Sequence, residues 1–137
     1  MQNHGVPMVT AATAGFLLIG QMWLALLVVG ARRRARESLG VGSDPRLVRA
    51  VRRHANYAEN AAIFVVCLGL LELLGGQRFL VAALATVFLL GRVSHAIGLS
   101  MEKTSNRWRV AGVFATVAPG IILGVRLILA SIGYLTK

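Results

Sequence analysis

A chain of 137 residues that is 56% hydrophobic, with a mean hydropathy of +0.69, is too apolar for a soluble domain of ordinary composition. Its formal net charge of +10 does not mark a nucleic-acid binder, because the basic residues sit between apolar stretches instead of interleaving with aromatics; they read as topology signals and contacts to anionic membrane lipid. The single cysteine, Cys67, lies inside an apolar run, which excludes an intramolecular disulfide and a CxxC motif and leaves it as packing.

The first apolar segment runs over residues 8–30, about enough to cross a ~30 Å hydrocarbon core at ~1.5 Å per residue. Residues 1–7 carry no Lys or Arg and the basic cluster follows the run, so the segment reads as a retained anchor rather than a cleaved signal peptide. It stops at Arg32, Arg33, Arg34 and Arg36. In the loop that follows, Ser43 or Asp44 is a candidate N-cap and Pro45 a first helical residue. A helix is therefore expected from near Pro45, outside the membrane, into a second span over 54–74, stopped by Gly75-Gly76. The third span covers 79–99. A polar connection with Glu102, Lys103, Asn106 and Arg107 leads to the fourth, 109–132. Within it, Pro119 predicts a local kink, and Gly120 and Gly124 form a small-xxx-small pair that would admit another helix closely. Nothing repeats, so residues 1–137 read as one all-α domain, an integral membrane four-helix bundle.

Eight arginines, Arg32 to Arg53, lie in or beside the first connection, and Lys103, Arg107 and Arg109 in or beside the third. The second has only Arg78 and the tail only Lys137. Positive-inside reasoning puts connections one and three in the cytoplasm and both termini outside it, with a bacterial inner membrane as the expected location.

The polar residues inside the spans gather at one depth. Arg52, Asn56 and Glu59 are spaced i, i+4, i+7 and share a face of the second helix. Arg92 and His95 lie near the cytoplasmic end of the third, and Arg109 opens the fourth from the same side. All fall within roughly 10 Å of that boundary. A buried Glu59 would need a cation, and Arg92 or Arg52 could supply it. For Arg53 and Arg107 snorkelling to lipid phosphates suffices. For Asn56, Glu59 and Arg92 the competing reading is a structural ion-pair network. His95 alone would pass for a structural histidine, and His4 is given no role. A second ion pair, Glu72 with Arg126, is expected near the outer side, within or between subunits.

The run from Arg52 through His54 and Asn56 to Glu59 resembles the R-A-x-x-N-x-x-E signature of the MAPEG family, the membrane-associated proteins of eicosanoid and glutathione metabolism. Gly91-Arg92-Val93-Ser94-His95 is similar to the family's A-R-x-x-H/Y, and Arg109 to Gly112 to its basic start of helix four; the small bacterial branch is the nearest in character. The resemblance implies a homotrimer with glutathione as co-substrate, bound between neighbouring subunits near the cytoplasmic side. It places Arg52, Asn56 and Glu59 at positions that hold glutathione's charged ends and amide. His54 and His95 match polar contact positions, Arg92 belongs to the same binding cluster, and Arg109 matches the arginine that stabilises the thiolate. Asn60, Ala62 and Leu99 depart from the family's usual Tyr, Pro and ligand-contacting aromatic hydroxyl.

Three functions compete on these residues. The first is a glutathione-dependent transferase or peroxidase acting on lipophilic electrophiles or lipid hydroperoxides. The second is a non-catalytic glutathione- or lipid-binding protein on the same fold. The third is a small transporter, against which neither Glu59 nor Glu72 stands near mid-membrane. The expected partners are a second and third copy of the chain, membrane lipids and lipophilic small molecules, with no nucleic acid.

Overall fold

The computed structural model describes residues 6–101 and 106–135. His4, Glu102, Lys103 and Lys137 lie outside the described residues. Four helices follow in order: α1 Met8–Ala35, α2 Pro45–Leu73, α3 Arg78–Ser100 and α4 Arg107–Leu135. Each is long and apolar enough to cross a membrane. The helices outrun the apolar stretches: α1 continues through Arg32, Arg33 and Arg34, good helix formers that lie past the end of the apolar run.

Local chemistry sets the ends. Asp44, not Ser43, caps α2, its Oδ1 accepting the Arg46 N–H at 2.8 Å, and Pro45 takes the first position. Beyond Leu73 the chain turns at Gly75, whose φ of 80° is costly for any residue with a Cβ. Asn106 caps α4 through its Oδ1, which accepts the Arg109 N–H, and its amide donates to the Gly98 carbonyl at the end of α3.

The bundle is open rather than square. Helices α2 and α3 are central; α1 packs mainly on α2 and α4 mainly on α3, and α1 and α4 do not meet among the described residues. Leu17 and Leu24 of α1, Phe64, Leu68 and Leu71 of α2, Val81, Leu84 and Phe88 of α3 and Leu123 of α4 form the buried core. The Phe64 and Phe88 rings stack at 3.7 Å. Large apolar side chains such as Phe16, Trp23, Phe114 and Ile121 face outward, as a membrane-facing surface should. In lipid there is little hydrophobic gain from helix association, so close packing carries the load.

That packing is tightest between α3 and α4, and glycine makes it so. A Cβ on Gly98 would lie 2.6 Å from the Arg109 nitrogen, one on Gly112 would lie 2.5 Å from the His95 nitrogen, and one on Gly91 would strike the Ala115 backbone. The pair expected to admit a helix, Gly120 and Gly124, faces open space within this chain: an added Cβ at either meets nothing within 4 Å. Pro119 lies inside α4, which continues past it to Leu135.

The expected Glu72–Arg126 ion pair does not form within the chain. Pro7, at the N-cap of α1, has no side-chain acceptor to cap the helix, and Glu72 at the end of α2 does so from across the bundle. Its carboxylate accepts the Val9 and Thr10 N–H groups at 3.0 and 2.8 Å and the Thr10 hydroxyl at 2.7 Å. Orphan helix N–H groups, aided by the helix dipole, meet the anion, with the charge of Arg78 acting from nearby rather than Arg126. Arg126 is exposed.

Two outcomes test this account. Glu72→Ala should cost about 1–3 kcal/mol in a detergent unfolding assay, more than Arg126→Leu, because it strips a shared cap. Gly98→Ala should lower Tm markedly while Gly120→Ala leaves it within a degree or two; equal effects would mean that the α3–α4 contact is not limiting.

Candidate functional site

At the end of the molecule where α1 finishes and α2 begins, α2, α3 and α4 enclose a cavity of about 650 Å³. Helix α2 contributes Arg52, Asn56 and Glu59 from one face, as their spacing requires. His95 enters from α3 and Arg109 from the first turn of α4. These five residues, scattered over 58 positions of sequence, therefore border one space.

Two devices bring the last pair there. His95 is 7% exposed and its backbone lies against Gly112, while Arg109 stacks its own backbone on Gly98. The Asn106 cap fixes the turn that carries Arg109, and the Ser94 hydroxyl donates to the Trp108 carbonyl at 2.7 Å, pinning α3 to the start of α4. Small residues at Gly98 and Gly112 thus set how close an imidazole and a guanidinium come to the same cavity.

Arg92 is placed differently from the expectation. It is 2% exposed, behind the cavity wall rather than on it. Its Nη2 donates to Asn56 Oδ1 at 2.9 Å and its Nη1 to the Asn56 carbonyl at 3.4 Å. The Tyr57 and Phe88 rings each lie 6.0 Å from the guanidinium carbon, at the outer reach of cation–π attraction. Glu59, expected as a buried partner for this charge, is exposed on the cavity rim instead. The amide of Asn56 takes the role expected of the carboxylate. Its carbonyl side is held by Arg92, which leaves the amide nitrogen as the group free to turn toward a ligand.

His54 does not reach this cavity. It lies on the opposite side of α2, with Nε2 2.6 Å from the Gln21 side-chain amide of α1. One residue went unnoticed in the sequence. Arg49 lines the cavity a turn before Arg52, and the spacing Arg49, Arg52, Asn56, Glu59 continues one helical stripe. The signal is legible in the chain, but Arg49 also belongs to the basic run of the first connection, where a topology role suffices for it.

The remaining wall is apolar: Val48, Ala55, Leu99, Met101 and Val113. Arg49, Arg52 and Arg109 against Glu59 give a net charge of +2. Such a lining suits a small polyanionic ligand carrying one ammonium, bound beside an apolar molecule. Among the described residues no His, Cys, Asp and Glu group could hold a metal ion.

Comparison with known proteins agrees with the pattern of these residues. The chain is 31% identical over 109 residues to "Inner membrane protein YecN" of Escherichia coli strain K12, covering 80% of this chain and 82% of the relative. The protein of that name from E. coli O6:H1 strain CFT073 matches equally. A profile of the MAPEG family matches residues 10–129, from the first turn of α1 to near the end of α4. With four helices long and apolar enough to span a membrane and a family profile that covers residues 10–129, this chain is an integral membrane protein that belongs to the MAPEG family.

Proposed function

We propose that this protein is a membrane-embedded, glutathione-dependent transferase or peroxidase acting on lipophilic electrophiles or lipid hydroperoxides, and that it works as a homotrimer. The observation that carries the reading is the convergence of Arg52, Asn56, Glu59, His95 and Arg109 on one cavity of about 650 Å³, within the range of sites that enclose a small ligand. Glutathione offers two carboxylates and one ammonium. Arg49 and Arg52 complement the carboxylates, Glu59 the ammonium, and the Asn56 amide a peptide carbonyl.

Arg109 is the catalytic candidate. A guanidinium beside the sulfur favours the thiolate, which is the nucleophile, over the thiol. In transfer, the sulfur forms a bond to an electrophilic carbon as the leaving group departs with its electron pair. In peroxide reduction, the sulfur takes the distal oxygen and the O–O bond breaks. The alkoxide takes up the proton released by thiol ionisation, and a second glutathione converts the sulfenic acid to disulfide and water. Leu99, Met101 and Val113 supply the apolar wall for the second reactant.

Trimer formation is supported by exposed charge. Arg52 and Glu59 are exposed on α2, and Glu59 lies beyond the first turns of the second span. Charges turned toward hydrocarbon are costly, so a neighbouring subunit is the expected cover. In such an assembly His54, on the far side of α2, would meet ligand only in a neighbour's cavity. The density of arginine at this end supports a cytoplasmic position for it and termini on the other side.

One observation favours a binding protein without catalysis. Leu99 lines the cavity at the position where the resemblance implies an aromatic hydroxyl, so one polar contact is missing. Two measurements separate the readings. Equilibrium binding of glutathione to the purified protein in detergent should saturate, and the Arg52→Ala/Glu59→Ala variant should lose it. No binding at millimolar glutathione with the oligomer intact would end the glutathione reading. Arg109→Ala should cut turnover of 1-chloro-2,4-dinitrobenzene or cumene hydroperoxide about 100-fold while binding persists; binding without turnover in the parent protein would establish the second reading.

Arg92 acts through Asn56, and stability reports it. Asn56→Ala should cost about 1.5–3 kcal/mol because it strips the Oδ1 acceptor from a buried guanidinium. Glu59→Ala should weaken glutathione binding yet leave Tm near that of the parent, as expected for an exposed rim residue.

A further inference from the structure

A second hollow, of about 350 Å³, opens between the end of α1 and the start of α2. It shares no lining residue with the larger cavity. Its mouth is cationic. Arg34 stands in the last turn of α1, Arg46 in the first turn of α2, and Arg53 two turns further along. Arg53 is half-buried; its Nη1 donates to the Ser100 hydroxyl of α3, and its Nε–H is buried with no acceptor among the described residues. The carboxylate of this hollow, Asp44, is engaged by the Arg46 N–H as the cap of α2. Three guanidinium charges against one carboxylate leave a net +2.

The rest of the lining is apolar, from Leu27, Ala31 and Ala50. Leu27 lies seven residues before Arg34, about 10 Å deeper along α1. The hollow therefore grades from cations at the membrane boundary to a hydrocarbon-like floor, and it does so where α1 leaves its apolar run. A free anion would match the mouth and leave the floor uncovered. A molecule with phosphate above and hydrocarbon below matches both.

We propose that this hollow binds the phosphate-bearing headgroup of an anionic phospholipid. Arg34 and Arg46 clamp the phosphate, Arg53 adds a third positive charge deeper along α2, and the glycerol and upper acyl chain lie on Leu27 and Ala31. Arg53 ties this site to the end of α3 through Ser100, so an occupied hollow braces the three helices α1, α2 and α3 at one end. The proposal is independent of the glutathione reading.

The test is a lipid titration of the delipidated, full-length protein in neutral detergent, followed by native mass spectrometry and by Tm. Phosphatidylglycerol should bind and raise Tm, and phosphatidylcholine should bind about 10-fold more weakly or less. Arg34→Gln/Arg46→Gln should weaken phosphatidylglycerol on the order of 10-fold, whereas Arg33→Gln, at an exposed arginine outside the hollow, should not. Asp44→Asn keeps an N-cap side chain and removes the opposing charge, so it should tighten binding several-fold. Inorganic phosphate that competes with the lipid would support recognition of the phosphate; phosphate that binds at this site without any preference for phosphatidylglycerol over phosphatidylcholine would overturn the lipid assignment. Equal phosphatidylglycerol affinity in the parent and the Arg34→Gln/Arg46→Gln variant would overturn the site.

Discussion

A guanidinium buried inside a membrane-spanning bundle demands acceptors, and much of this structure follows from how Arg92 finds them for its two Nη groups, while its Nε–H meets none among the described residues. A charged group held inside the bundle is costly unless hydrogen-bond acceptors meet it. Helix α3 carries Arg92 to the bundle centre, where, among the described residues, the side chain and carbonyl of Asn56 accept from it. That requirement sets the rotation of α2 against α3. Once Asn56 faces Arg92 on one side, Arg52 and Glu59, a turn away in each direction, must face the cavity. The same arrangement seats Phe88 against Phe64 and beside Arg92, so one cation is tied to both the polar site and the apolar core.

The second constraint is steric. Helix association in lipid draws on close contact more than on the expulsion of water, and Gly91, Gly98 and Gly112 let the α3 and α4 backbones touch. These glycines serve the site as well as the fold. Gly112 leaves room for His95, and Gly98 leaves room for the backbone of Arg109. A cavity with an imidazole on one helix and a guanidinium on the next is a by-product of the tightest helix pair in the molecule.

The two ends of the bundle are built by different electrostatics. At one end the Glu72 carboxylate accepts from the Val9 and Thr10 N–H groups and caps the start of α1. At the other, arginines outnumber carboxylates in two separate hollows, one reaching toward α4 and one toward α1. Membership of the MAPEG family accounts for the first hollow more readily than for the second. A shared fold fixes neither reaction nor ligand, and the two proposed readings differ at the cavity wall, where Leu99 stands.

The sequence by itself determined the number of spanning helices, their approximate ends, the basic end of the molecule and the stripe Arg52, Asn56, Glu59. Each depends on local periodicity or hydropathy, which a linear chain displays in full. The family likewise followed from short motifs. Tertiary structure decided who pairs with whom. It gave Arg92 to Asn56 rather than Glu59, Glu72 to the start of α1 rather than Arg126, and His54 to Gln21 rather than the cavity. It chose Gly98 and Gly112 over Gly120 and Gly124 as the contact glycines. The physical reason is common to all four. Charge and size say what a residue needs, but a helix offers that need to whichever neighbour its rotation and tilt bring closest, and rotation is settled only when all four helices pack.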